Sequence, residues 1–202
     1  TSRLMETILL EAKNISNADG GTLYLKTEDN NLNFEIVRTD SLKIAMGGTT
    51  GKEITFPPVL LYDPETGKEN KANVASCAGL TGKSINIPDA YDSKDFDFSG
   101  TRKFDKGTGY RSKSFLTVPM KNSQDEIIGV LQLLNAQDRD TGEVIPFSSD
   151  IQPLIEALAS QAAVALAIDG IPAVGAVSCA PTGERWWAAR GEGAWKNGAP
   201  IE

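Results

Sequence analysis

Three stretches of this chain carry residues able to act on, or hold, a small molecule. In "NVASCAGLTGK" (73–83) the thiol of Cys77 falls near the expected start of a short helix. A helix N-terminus lowers a thiol's pKa and suits redox or thiol-ligand chemistry; a small buried core residue is the competing reading. In "DAYDSKDFDF" the side chains of Asp89, Asp92, Asp95 and Asp97 make an oxygen-rich run. Such runs can hold Ca²⁺, but this spacing is not that of an EF-hand loop. In "KGTGYRSK" (106–113) clustered Lys and Arg suit one small anion. The chain contains no histidine. That excludes Ser-His-Asp and Cys-His nucleophilic sites, HExxH zinc sites and haem held by a proximal His. Walker A and G-x-G-x-x-G fingerprints are also missing from the sequence. Carboxylate, Lys, Tyr or Cys chemistry is left, or binding without catalysis.

The elements that must position these groups follow from composition and periodicity. A chain of 202 residues, 40% apolar and 23% charged, holds one globular domain or one domain plus a small appendage. A net charge of −7 argues against a nucleic-acid partner. No apolar run approaches the roughly 18 residues of a membrane helix. The opening "TSRLMETILLEAKN" lacks the features of a signal peptide and reads as a fragment beginning inside a helix. The two cysteines, Cys77 and Cys179, make no disulfide framework, and a cytoplasmic location is expected.

Leu4, Met5, Ile8, Leu9, Ala12 and Ile15 recur at helical spacing, so residues 2–16 are expected to form an amphipathic helix, ended by a turn at 18–21. Residues 22–40 alternate around Asp29-Asn30-Asn31 as a β-hairpin. A glycine-rich loop (45–53), a short strand with a turn at Asp63-Pro64, a helix over 73–83 and a strand ending at Pro88 come next. Residues 93–110 read as a polar connection studded with aromatics. A second hairpin turns near Asn122–Asp125. A helix then places Ile151, Leu154, Ile155, Leu158 and Ala162 on one face, with Ser149 and Gln152 fitting a capping box and Pro153 in the first turn. This order predicts an α+β domain with an antiparallel sheet covered by helices. Residues 162–168 serve equally as helix end or strand start. Beyond them, Asp169-Gly170, Pro181–Gly183 and Asn197-Gly198 punctuate apolar runs as a short C-terminal β-meander.

Residues 1 to about 166 resemble a GAF domain, the sensory module of cyclic-nucleotide phosphodiesterases, cyclases and bacterial signalling proteins. The stretches that carry the likeness are "ADGGTLYL", "NVASCAGLTGKSINIPDAY", "GTGYRSKSFLTVPMKNSQDEIIGVLQLLNAQD" and "IPFSSDIQPLIEALASQAAVAL". The resemblance implies a small ligand held between one sheet face and the covering helix and loops. It implies ligand contacts at Val74 and Ala75 on the 73–83 helix, at Asp105, Thr108 and Ser112 in the following loop, and at Gln132 on a strand; Cys77 joins this set from the same helix. Backbone N–H groups at a helix start and short hydroxyls suit a phosphate, and Asp105 and Gln132 could hydrogen-bond a base edge. Thr108 and Ser112 are equally ordinary turn and strand-start residues. Nucleotide-binding members carry an Asn-Lys pair, then a Phe and an Asp-Glu pair. Here Asn135 and Phe147 remain, but Ala136 stands at the Lys position and Ile151 and Gln152 at the acidic pair. The ion pair that would lock the last strand to the helix is therefore missing.

Residues from about 164 to 202, above all "RGEGAWKNG", resemble part of the inositol monophosphatase family, whose members hydrolyse phosphate monoesters with Mg²⁺ held by carboxylates. An Asp-Pro-Leu-Asp-Gly-Thr-like metal run should precede this segment and does not occur. The segment, which holds Trp186, Trp187 and Trp195, therefore lacks the parts of a two-metal site.

The expected organisation is a sensory domain over 1–166 and a hairpin tail over 167–202. The expected function is binding of a small molecule, a cyclic nucleotide or related ligand, without catalysis, metal or resident cofactor. An effector outside this chain would receive the signal through the terminal helices, which could also pair two copies through Leu4, Ile8, Ile15, Leu154, Leu158 and Leu166; a domain core would use the same stripes. The alternatives are an Mg²⁺-dependent phosphatase and a structural or dimerising domain with no ligand.

Overall fold

A computed structural model describes residues 2–122, 124–166, 174–179, 184–189, 193–197 and 199–200. Helix α1 (Ser2–Ser16) buries Met5, Ile8, Leu9 and Ala12, the expected stripe, and Asn17 ends it by taking a left-handed φ of 50°. The chain then enters strand β1 (Ala18–Lys26) at once, so residues 18–21 are strand rather than turn. The glycines there answer a packing need. A Cβ on Gly21 would stand 2.7 Å from Leu9 Cδ1, so the bare backbone lets α1 lie close on the sheet.

Strand β2 (Asn31–Thr39) completes the first hairpin, with Asn30 at φ 56° in its turn. Strands β3 (Ile44–Gly47) and β4 (Val59–Leu60) both pair with β2. Helix α2 (Val74–Thr81) starts where the Asn73 side chain accepts the Ser76 N–H and stops at Gly82, φ 65°. Strand β5 (Ile85–Ile87) follows. Residues 99–108, read from the sequence as a loop, form helix α3 (Ser99–Thr108). Strands β6 (Phe115–Lys121) and β7 (Ile127–Gln137) make the second hairpin, and β8 (Val144–Ile145) pairs with β7. Helix α4 (Gln152–Leu166) carries the 162–168 ambiguity as helix as far as Leu166. Its start differs from the expected capping box at Ser149. The Ser148 Oγ accepts the Asp150 N–H at 3.2 Å, and Gln152 points along the helix to Glu156.

The main sheet runs β3-β2-β1-β7-β6-β5, antiparallel throughout. Strand alternation sends Leu23, Leu116, Val118, Leu131 and Leu133 to one face, under α1 and α4. Tyr24 and Val130 point to the other face, toward Ala75 and Ala78 of α2. Ile8, Leu158 and Ile155 are thus spent on the domain's own core.

Beyond α4, β9 (Val174–Cys179), β10 (Glu184–Ala189), β11 (Gly193–Lys196) and β12 (Ala199–Pro200) form a separate antiparallel meander in the order β12-β11-β10-β9. Trp187 pairs with Trp195 in register. The expected turns at Asp169-Gly170 and Pro181–Gly183, and Gly198 of the third, lie outside the described residues.

One polar cluster fastens α1 to the sheet edge. Arg38, 6% exposed, donates to the Glu6 carboxylate and, at 2.6 Å, to the Met46 carbonyl. Glu6 also accepts the Thr49 N–H at 2.9 Å and its hydroxyl. Burial pushes the Glu6 pKa up, but the bonds from Thr49 and Arg38 outweigh it and hold the carboxyl below its ordinary 4.5. Its stabilisation is therefore complete above the unfolded value and is lost as pH falls through the lower, folded one. Unfolding midpoints measured from pH 6 downward should show this loss in the native chain and a flatter acid limb in Glu6→Gln, which starts less stable at neutral pH.

Candidate functional site

On the face opposite α1 and α4, the sheet, α3 and the 56–60 segment line an open-mouthed cavity of about 580 Å³. Its wall is built from the sheet outward. Tyr24 of β1 is 5% exposed and packs on Phe34 of β2 with ring centroids 4.7 Å apart; Phe34 meets Phe56 edge-on at 5.4 Å. Phe56 itself is 39% exposed, so this aromatic ladder runs from the core to the rim. Burial holds the Tyr24 phenol protonated far above its usual range, and it hydrogen-bonds Gln132 Oε1 at 3.3 Å. Pro57-Pro58 cannot supply strand N–H groups, so pairing with β2 begins only at Val59 and Phe56 stays outside the sheet, at the mouth. Opposite, Gly100, Thr101 and Phe104 of α3 also line the cavity, with Phe104 37% exposed.

The C-terminal end of α3 is pinned. Asp105, 3% exposed, accepts the Ser112 N–H at 2.8 Å, the Ser112 hydroxyl at 2.7 Å and the Tyr91 hydroxyl at 2.9 Å. The Arg111 guanidinium sits 4.0 Å over the Tyr91 ring. Two residues past the helix the Tyr110 hydroxyl donates to Asp19 at the start of β1, and burial first, then that carboxylate, raises the Tyr110 pKa. The N-terminal half of α3 is thereby held over the cavity by its other end.

The candidate residues divide. Ser112 lines the cavity. Val74 and Ala75 are core residues, packed respectively with Ile87 and Phe115 and with Tyr24 and Val130. Gln132 is not among the lining residues; its side chain accepts the Tyr24 hydroxyl and donates to Thr117 Oγ1 at 3.0 Å. The Asp105 oxygens are turned to Ser112 and Tyr91. The Thr108 hydroxyl bonds back to the Phe104 carbonyl at 2.9 Å. Cys77 is a half-buried free thiol on α2. Asp89 takes the Tyr91 N–H and Asp97 the Ser99 N–H, as turn and helix-start acceptors. Among the described residues no cluster of three or more His, Cys, Asp or Glu is placed to hold a metal. Sequence reasoning missed Tyr24, Phe34, Phe56 and Phe104. The signal that could have found two of them is Phe-Pro-Pro in one loop and a Phe in the other, apolar residues in segments with no strand to bury them.

Asn135 and Phe147 keep structural work. Asn135, 2% exposed at φ 56°, accepts the Lys113 N–H at 2.7 Å and donates to the Arg111 carbonyl at 2.8 Å, clipping the segment after α3 to β7. Phe147 is buried in the core under α4.

Residues 1–166 match the GAF domain family. The chain is 40% identical over 75 residues to the dual 3',5'-cyclic-AMP and -GMP phosphodiesterase 11A of Takifugu rubripes, covering 37% of this chain and 7% of that protein. Against the dual phosphodiesterase 11 of Drosophila melanogaster it is 35% identical over 82 residues, 39% of this chain and 5% of that protein. The chain thus spans less than a tenth of the length of these curated relatives. Among solved structures, the cyanobacteriochrome receptor PixJ superposes with a TM-score of 0.52 at 12% identity, over 82% of this chain and 93% of that one.

Proposed function

We propose that this chain, which belongs to the GAF domain family, is a regulatory module that binds a small molecule and relays its presence, with no catalysis of its own. The observation that carries this reading is the 580 Å³ cavity roofed by α3 and the 56–60 segment, within the volume range of small-molecule sites. Strand alternation supplies a relay. Tyr24 and Leu134 line the cavity, while their chain neighbours Leu23 and Leu133 pack under α1 and α4. A ligand that shifts β1 and β7 would bias the terminal helices by population shift. The effector would lie outside residues 1–166, and the same helices could serve a dimer. The tail over 167–202 is read as a separate unit.

The dual cyclic-AMP and cyclic-GMP phosphodiesterases among the relatives make a cyclic nucleotide the first ligand to test, against the uncharged class that the cavity lining favours. Thermal unfolding across a metabolite panel that includes both cyclic nucleotides tests the binding function. Ligand at 100 times its Kd adds about 2.7 kcal/mol, which should raise Tm by about 5 °C or more. A panel without any shift favours a purely structural domain. Phosphate release from a monoester with Mg²⁺ would replace the regulatory reading with the phosphatase one.

A further inference from the structure

We infer that the cavity takes a neutral ligand built on a flat ring system, and not a phosphate-bearing anion. This rests on the binding reading above and names its ligand class.

The lining decides the charge. Among the described residues lining the cavity there is no Lys, Arg, Asp or Glu. An anion entering it would leave water without meeting a counter-charge, which is strongly unfavourable. Helix N-termini could substitute, but at each of the two near the cavity a side-chain oxygen already takes one of the N–H groups. Asn73 Oδ1 accepts the Ser76 N–H of α2 at 3.0 Å. Asp97 Oδ1 accepts the Ser99 N–H of α3 at 2.8 Å, and it sets a negative charge where an anion would dock. The polar side chains that remain are largely committed. Ser112 Oγ donates to Asp105 and Asn70 Nδ2 to the Leu60 carbonyl at 2.9 Å.

The same wall decides the shape. Tyr24, Phe34 and Phe56 step outward as successive ring contacts, and the ladder ends in an exposed face at Phe56 with Phe104 exposed across the mouth. Leu60, 38% exposed, lies on the same rim. A flat ring slid between Phe56 and Phe104 would continue the ladder and bury three apolar side chains that water now reaches. Recognition would come from ring stacking and shape, with Thr39 and Thr101 hydroxyls as polar handles.

The full chain can be tested with Prodan, an uncharged flat naphthalene dye whose emission shifts to the blue on leaving water. Saturable binding of one equivalent is expected. Gly100→Trp should weaken it by about tenfold or more: Gly100 lines the cavity, and a Cβ there meets nothing within 4 Å, so a bulky side chain can be introduced at the lining without a clash at its base. Phe56→Asp, a rim change outside the sheet, should weaken it comparably, while cyclic AMP and cyclic GMP should fail to displace the dye. No saturable dye binding, or dye binding that neither substitution weakens, overturns the assignment. Binding of a cyclic nucleotide that Gly100→Trp abolishes also overturns it and leaves the regulatory reading standing. If no compound stabilises the chain in the thermal panel either, the regulatory reading falls as well.

Discussion

Asp105→Ala is expected to destabilise the domain by about 2–4 kcal/mol. The resemblance to nucleotide-binding relatives makes Asp105 a ligand contact; the geometry makes it the pin of α3. Its two oxygens take three donors, two from Ser112 and one from Tyr91. Ser112 is 2% exposed, so water cannot replace the lost acceptor for its N–H and hydroxyl, and each buried unsatisfied group costs about 1–3 kcal/mol. Asp105→Asn should fall between, because one amide oxygen still accepts while the NH₂ group opposes a donor. Urea denaturation separates the two roles. A lower midpoint at unchanged slope identifies the pin. A native midpoint with weakened ligand binding would make Asp105 a ligand contact after all.

Gly129→Ala should cost about 3 kcal/mol or more, a fall in Tm of about 8 °C. A Cβ there would stand 2.4 Å from the Tyr24 carbonyl oxygen. The obstacle is backbone, and β7 is paired on both edges at this point, with Leu25 on one side and Met120 on the other. Neither neighbour can retreat without breaking its own ladder. Gly21→Ala is the internal control. Its Cβ meets the end of the Leu9 side chain at 2.7 Å, which can rotate away, so a markedly smaller loss is expected in the same thermal scan. Equal losses at the two positions would show that the central strands yield as easily as a leucine does.

Both hairpins, α1 and α2 were legible in the sequence because their signals are local. Asp29-Asn30 stands between alternating runs, and Asn73 and Gly82 bracket the short helix. Helix α3 was not legible. Of its ten residues, Asp105 alone is buried and two are glycines, so neither an apolar stripe nor propensity marks it. Its start has no side-chain cap at Phe98 and leans on Asp97 accepting the Ser99 N–H, and its end on tertiary bonds to Tyr91 and Ser112. The turn expected at 18–21 failed for a related reason. Glycines there serve the close approach of α1, a fact of packing that spacing alone does not encode. Of the residues the family likeness named, Ser112 alone lines the cavity, and Tyr24 and Phe34 look like core residues in any strand. Only the placement of Phe56 and Phe104 across a cavity distinguishes a binding wall from a core.

The pairing of β1 with β7 joins Ala18 to Ala136, and the Asn17 amide reaches across to the Gln137 carbonyl at 2.6 Å. During synthesis, β1 and β2 can close their hairpin early, yet the inner edge of β1 must wait for more than a hundred further residues. Until then it is an open strand edge beside unburied Leu23 and Tyr24, a template for another chain. Such distant pairing also makes folding slow relative to a helical protein of this size. The domain's exposure to aggregation is therefore concentrated in the interval before β7 emerges, and conditions that prolong that interval should lower its soluble yield without altering the stability of the finished fold.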